Sequence, residues 1–367
     1  MYMKFSKLNL VAIVVVILLV VGLGTTYLNS RTLSAENNPQ TANVSKKPKI
    51  KIGVITDLSG PASGYWGLST QSGAQLAQKD LRDQGFDVEV LLEDYKLEGP
   101  QSLSAAKKLL EVDQVDAIYA EFNPAAYTIS PYMKNKNKLL VINAAATSPL
   151  DVSSNYFKTY LDYQVGCRQI AQKFKNDGVV KIGSLKVNLE FGELCDKGIR
   201  EIFPNQTITE DYNLGDTDFK NQLLKVSAQG AQAVINTGFE NDTINTLKGI
   251  KEQNLNLKYG TVGDTITPNV TSTYQKELAG GYSFGFKDVD SGLKNKLRQY
   301  DPKIVTDIAA ALAYKHVSDL TKSLSECNKE IACSKNKFAN SAQDPKVGFK
   351  GFNPSRIAEF EMEVKKL

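Results

Sequence analysis

The sequence predicts an α/β protein: two Rossmann-like, doubly wound lobes joined by three crossover strands, behind an N-terminal transmembrane helix. Three observations carry this expectation. Short β-type runs alternate with longer helical stretches along most of the chain. Three further extended runs interrupt the alternation where a chain could change lobe. A nearly unbroken apolar segment, 8–28, precedes everything else.

That segment reads LNLVAIVVVILLVVGLGTTYL and follows Lys4 and Lys7. At about 1.5 Å per helical residue it spans a hydrocarbon core of about 30 Å. The lysines orient it with its N-terminus in the cytoplasm. A cleaved signal peptide is the alternative, but its apolar core usually runs only about 7–15 residues. Small-x-small cleavage sites are poor too: Gly22-Leu23-Gly24 lies inside the apolar run, and Leu33-Ser34-Ala35 begins with a bulky residue. The expectation is an uncleaved signal anchor, single-pass in the cell membrane, with the bulk of the chain extracytoplasmic. Residues 29–48 are rich in Ser, Thr, Asn, Gln and Lys and read as a flexible linker.

The first strand is signalled by alternating Ile50, Ile52 and Val54. Ser59-Gly60-Pro61 then breaks the pattern, and after Gly67 a helix resumes with Ala74, Leu76, Ala77 and Leu81 on one side. A strand, a small-residue loop and a helix N-terminus place backbone N–H groups and a hydroxyl at a sheet edge, where open α/β folds bind ligands. Neither GxxxxGK[ST] nor GxGxxG occurs here, which disfavours a nucleotide site. Further strand-like runs are 87–92, 117–120, 139–143, 181–185, 233–236, 259–262 and 281–286. Helical stretches separate them at 101–112, 125–133, 166–176, 192–202, 218–229 and 242–254. Such alternation implies parallel sheets covered on both faces, and two moderate sheets fit the length better than one large one. The extended runs 156–160, 280–287 and 359–364 would be the crossovers. Lobe 1 is then 49–160 with 286–358, lobe 2 is 161–285 with 359–367, and a ligand would lie between them.

Composition narrows the function. Forty-four basic against forty acidic residues gives a net charge of +4, too balanced for a nucleic-acid binder. Four cysteines in an exported chain suggest disulfides rather than metal. Cys327 and Cys333 flank a polar segment, and closing so short a loop restricts the unfolded chain by about 2 kcal/mol. Cys167 and Cys195 lie near the starts of two consecutive helices, where a bridge and free buried thiols are both open. The one histidine, His316, sits inside the helical run 308–324, and no GxSxG-type nucleophile turn accompanies it. These features give no basis for a metal, a cofactor or catalysis.

Three motifs in order resemble the type I periplasmic solute-binding proteins, particularly the branched-chain amino-acid-binding (leucine/isoleucine/valine-binding-like) branch. They are Ser59-Gly60-Pro61 with Trp66-Gly67 and Gly73-Ala74, Ala144-Ala145-Ala146-Thr147-Ser148-Pro149 after an apolar strand, and Lys350-Gly351-Phe352-Asn353-Pro354 before a terminal strand. The resemblance covers nearly everything after Lys49 and implies the type I periplasmic binding fold. It also implies site residues. Ala145 and Thr147 fit the loop that grips a ligand carboxylate, and Trp66, with Tyr65 beside it, fits the aromatic wall. Phe191 and Phe239 fall where the second lobe presents aromatics, and Asp264 where a carboxylate meets the ligand's ammonium. Ser59 and Asn123, at two lobe-1 strand ends, complete the candidates. One departure weakens the carboxylate site: Glu121-Phe122-Asn123-Pro124 stands where the family supplies a small hydroxyl residue. Pro124 lacks an N–H, and Glu121 would repel an anion if it faced the cleft. The resemblance implies a receptor that binds a small amino-acid-like or amide ligand by hinge closure and delivers it to an ABC transporter permease. A ligand-sensing ectodomain with a separate signalling partner is the alternative, and a carboxylate-dependent hydrolase a third.

Overall fold

A computed structural model of the chain describes residues 47–143, 155–159 and 161–367. Its first sheet comprises β1 (Ile50–Thr56), β2 (Val88–Asp94), β3 (Ala117–Glu121), β4 (Leu139–Asn143) and β5 (Tyr156–Thr159). These lie in the order β2-β1-β3-β4-β5, every pair parallel. The second comprises β6 (Ile182–Val187), β7 (Thr207–Tyr212), β8 (Ala233–Asn236), β9 (Lys258–Val262) and β10 (Tyr282–Phe286). It repeats the same order, β7-β6-β8-β9-β10, again parallel. A hairpin of β11 (Phe349–Phe352) and β12 (Ala358–Phe360) precedes β13 (Met362–Lys366), which adds antiparallel to β10.

Helices cover both faces of each sheet, as parallel strands require. The longer ones are α1 (Leu68–Asp83), α2 (Gly99–Lys107), α3 (Phe122–Met133), α4 (Tyr163–Asn176), α5 (Glu190–Ile202), α6 (Lys220–Ala228), α7 (Glu240–Glu252), α8 (Ser291–Tyr300), α9 (Asp307–Glu326) and α10 (Ile331–Ala339). Ile50, Ile52 and Val54 share one face of β1 and pack with Ala74 and Ala77 of α1 and Ala313, Val317 and Leu320 of α9. α1 and α9 approach so closely that a Cβ at Gly73 would lie 1.9 Å from the Ala310 carbonyl oxygen. In the second sheet, Ile182, Ala233 and Ile235 pack against Ile170 and Phe174 of α4 and Ile199 of α5.

The chain thus forms two α/β lobes joined by crossover segments. The expected crossover strands are also sheet members: β5 edges the first sheet, and β10 and β13 complete the second. β7 was not expected, because TITEDY is too polar to read as a buried run. It is an edge strand, largely half-exposed. Disulfides join Cys167 to Cys195, linking α4 to α5, and Cys327 to Cys333 (Cα–Cα 5.2 and 5.7 Å).

The membrane expectations are corrected. No helix among the described residues is long and apolar enough to cross a membrane. The longest, α9, has 20 residues and carries Asp307, Lys315, Asp319, Lys322 and Glu326, charges too costly for a bilayer core. The transmembrane helix therefore leaves the fold class, and with it the signal anchor, the membrane contact and the single-pass localisation in the cell membrane. Segment 8–28, on which they rested, lies outside the described residues.

Candidate functional site

In an open parallel sheet the crevice for a ligand opens where strand order reverses, beyond the C-terminal ends of the two strands concerned. In the first sheet that point lies between β1 and β3, whose ends carry the 57–67 loop and Phe122-Asn123. In the second it lies between β6 and β8, whose ends lead to Leu189, Phe191, Gly238 and Phe239. Residues from both crevices line one cavity of about 60 Å³, among them Tyr65, Phe122, Asn123, Tyr163, Phe191, Phe239 and Asp264. Aromatic rings run across it: Phe122 to Phe239 at 5.7 Å, Phe239 to Phe191 at 6.1 Å and Phe191 to Tyr163 at 5.2 Å between centroids, with Trp66 behind Phe122 at 5.8 Å. Tyr127 of α3 also hydrogen-bonds Glu190 of α5, across the lobes. A second cavity of about 330 Å³ lies on the side of the crossover strands and shares Asp264 with the first.

The Ser-Gly-Pro loop is organised by carboxylates rather than left open. Asp57 accepts the N–H groups of Gly60 (2.5 Å) and Ala62 (2.7 Å). Asp94 accepts the Leu58 N–H (2.9 Å) and the Ser59 hydroxyl (2.5 Å). Ser59 is exposed and lines neither cavity. Past the loop, the chain winds through Ser63–Gly67 into α1, which buries Tyr65 and Trp66.

Glu121 does not face the cleft. It is wholly buried, and its Oε1 accepts from the Trp66 indole (2.9 Å), the Thr70 hydroxyl (2.9 Å) and the Tyr119 hydroxyl (3.0 Å). Its Oε2 accepts from the Thr56 hydroxyl. Burial raises its pKa, and these hydrogen bonds oppose the rise. The carboxylate expected to repel an anion instead fixes Trp66, which stands behind Phe122 rather than at the cavity wall. Phe122 takes the wall position with φ of 66°, the left-handed region that a bulky residue adopts only at a cost of about 1–3 kcal/mol.

Asp264 lies in a short turn, Gly263–Thr265, directly after β9. The turn is tied down by the Thr265 hydroxyl, which donates to the Val262 carbonyl (2.8 Å) and pairs with the Thr243 hydroxyl (2.9 Å). Tyr259 donates to Thr243 (3.1 Å). The Asp264 Oδ1 atom is buried and has no hydrogen-bond partner, and burial pushes the carboxyl pKa up to about 6. Hydrogen bonds from the backbone at Asp264 and Thr265 oppose the rise. Asp242 is likewise pushed up to about 6 by burial, but its Oδ2 accepts the Phe239 N–H (2.7 Å) and so caps α7.

Of the candidate residues, then, Tyr65, Asn123, Phe191, Phe239 and Asp264 line the interlobe cavity, Trp66 backs it, and Ser59 lies apart. Ala145 and Thr147 fall outside the described residues. Sequence reasoning missed Phe122 and Tyr163. Tyr163 could have been found, since it directly follows the α4 N-cap Asp162. The left-handed turn that swings Phe122 inward leaves no trace in a hydrophobic pattern.

The family model for the periplasmic binding proteins matches residues 49–314, and the chain belongs to that family of non-catalytic solute-binding proteins. A relative from Brucella abortus (strain 2308), "Leu/Ile/Val-binding protein homolog 1", is 24% identical over 247 residues, covering 63% of this chain and 65% of its own length. The chain thus spans just under two thirds of that relative. The branched-chain amino-acid transporter substrate-binding protein LivJ from Streptococcus pneumoniae, solved in complex with isoleucine, superposes with a TM-score of 0.76 at 19% identity, covering 87% of this chain and 96% of that one. A solute-binding protein of an ABC transporter from R. palustris, solved in complex with 4-hydroxybenzoate, gives 0.75 at 20% identity, covering 87% and 93%.

Proposed function

We propose that this protein is the extracytoplasmic solute receptor of an ABC transporter and binds a small ammonium-bearing ligand between its lobes. The lobes, 49–160 with 286–358 and 161–285 with 359–367, close on the ligand by hinge motion at the crossovers and present it to a permease. The observation that carries this reading is the cavity lined from both lobes in which the buried Asp264 Oδ1 has no protein partner. In this account Asp264 receives the ammonium, and Tyr65, Phe122, Phe191 and Phe239 enclose the apolar part. Asn123 lies against the ligand, with Trp66 supporting the wall. Ala145 and Thr147 keep their assignment to an anionic end on the family resemblance alone. The isoleucine bound by the S. pneumoniae relative is a ligand of the proposed kind.

Titration calorimetry with the branched-chain amino acids and their amides tests the reading. Losing one partner of a desolvated charged pair costs about 2–5 kcal/mol, so Asp264→Asn should weaken an amine ligand by a factor of tens to thousands. The pH dependence has a fixed sign. With the ligand-free carboxyl near 6, affinity is flat above that pH and falls by up to about tenfold per unit below it, as a proton competes with the ammonium. Affinity unchanged by Asp264→Asn, or an aromatic acid bound more tightly by that variant, would move the function to an anionic or neutral solute.

A further inference from the structure

The lobes touch at more than the crossovers. Inside the cavity the Phe122 ring meets Phe239 nearly at a right angle, 5.7 Å between centroids. Outside it, the Tyr127 hydroxyl of α3 donates to the Glu190 carboxylate at the start of α5. α3 packs on β3 and β4 of the first sheet and α5 on β6 and β7 of the second, so this bond joins the two lobes. Neither residue lines either cavity. Tyr127 is 44% exposed, while Ala125, Ala126 and Ile129 make the core contacts of its helix. Its ring gains little from packing, and its hydroxyl is placed to reach the opposite lobe.

Glu190 is set up to receive it. The first turn of a helix suits a negative charge, because its free N–H groups carry partial positive charge. Glu193, the other acidic residue of that turn, is taken up within its own lobe by Lys186 (2.6 Å). Lys158 of β5, in the first sheet, is buried: desolvation lowers its pKa, and the negative charges of Glu190 and Asp162 oppose the fall. Glu190 thus faces both a hydroxyl and a positive charge from the other lobe. We propose that Glu190, Tyr127 and Lys158 form a latch that holds the lobes together whatever solute the cavity takes. The chain couples latch to cavity on both sides. Phe122, which lines the cavity, begins the helix that carries Tyr127, and Glu190 directly precedes Phe191, which lines it from the other side. The latch adds the same stabilisation to the closed form for every ligand, so it sets how long the lobes stay shut rather than which solute is chosen. It rests on the hinge motion of the reading above and not on Asp264.

Single-molecule fluorescence energy transfer on the purified full-length protein, without added solute, tests this. The native cysteines are paired in the two disulfides, so dyes go on Lys134→Cys and Lys197→Cys, two exposed positions on α5 and just past α3. Tyr127→Phe, which removes only the hydroxyl, should lower the ratio of time closed to time open about fivefold, the worth of one hydrogen bond to a carboxylate near the surface. Glu190→Ala should lower it at least as much, and the double variant no further than Glu190→Ala alone. Tyr132→Phe removes a similar bond to Glu111 inside one lobe and should leave the ratio within about twofold. An unchanged melting temperature certifies the fold of each variant. A Tyr127→Phe ratio within twofold of the parent, or effects that multiply in the double variant, overturns the latch and leaves the receptor reading standing. A single unvarying transfer level in parent and variants would overturn the latch and hinge closure together, while calorimetry on Asp264→Asn still reports on the ligand site.

Discussion

Replacing Glu121 asks whether one buried carboxylate holds the lobe-1 wall together. Its two oxygens accept from Thr56, Trp66, Thr70 and Tyr119, drawn from β1, the first turn before α1, α1 itself and β3. In Glu121→Ala the three hydroxyls can turn toward one another, but the indole N–H can only donate and is left without an acceptor. An unsatisfied buried donor costs about 1–3 kcal/mol, and truncating a core side chain of this size adds about 2–3 kcal/mol, so the expected loss is about 4 kcal/mol. Glu121→Gln keeps the volume and an acceptor oxygen for Trp66. Burial already disfavours the ionised form, so replacing the carboxyl by an amide should cost only about 1 kcal/mol. Urea unfolding at pH 7, followed by far-UV circular dichroism, measures both. An alanine variant within about 1 kcal/mol of the parent, or equal losses in the two variants, would refute the network's role.

Two further predictions concern stability. His316 is wholly buried on α9, its Nε2 2.8 Å from the Thr159 hydroxyl, and burial lowers its pKa to about 3. Folding therefore gains stability from neutral His316 above about pH 6.5 and loses it as pH falls toward 3, about 2 kcal/mol by pH 5. His316→Phe should remove that part of the slope in thermal unfolding at pH 7, 6 and 5, and parallel curves for variant and parent would sink the assignment. With separations of 28 and 6 residues, opening Cys167–Cys195 by paired serine substitution should cost about 3.5 kcal/mol and opening Cys327–Cys333 about 2 kcal/mol. Non-reducing peptide mapping with denaturant unfolding checks both, and a reversed order would count against the loop-entropy account.

The parts of the fold set by local chemistry were readable. Alternating Ile50, Ile52 and Val54 and the helix after Gly67 follow from periodicity, and the βα rhythm fixes the parallel sheets. The switch points follow from strand order, which the rhythm implies but does not specify. Unreadable features depend on contacts between distant residues or on one unusual backbone angle. Glu121 beside a predicted cleft reads as a repulsive charge until its four donors are seen. Ser59 reads as a ligand hydroxyl until Asp94, thirty-five residues on, claims it. Asp264 joins Tyr65 and Phe122 at one cavity only because the end of β9 comes to face the first sheet's crevice.

Trp66 is the single tryptophan of the chain, and its indole is hydrogen-bonded to a buried carboxylate. It touches Phe122, whose ring in turn meets Phe239 of the opposite lobe. Opening of the lobes breaks the Phe122–Phe239 contact and so changes the surroundings of the ring beside that indole. The protein thus carries its own optical reporter: intrinsic fluorescence from one site, with no competing emitters of its class, registers opening and closing without a label. A stopped-flow trace of Trp66 emission would separate the ligand's arrival from the motion that follows it.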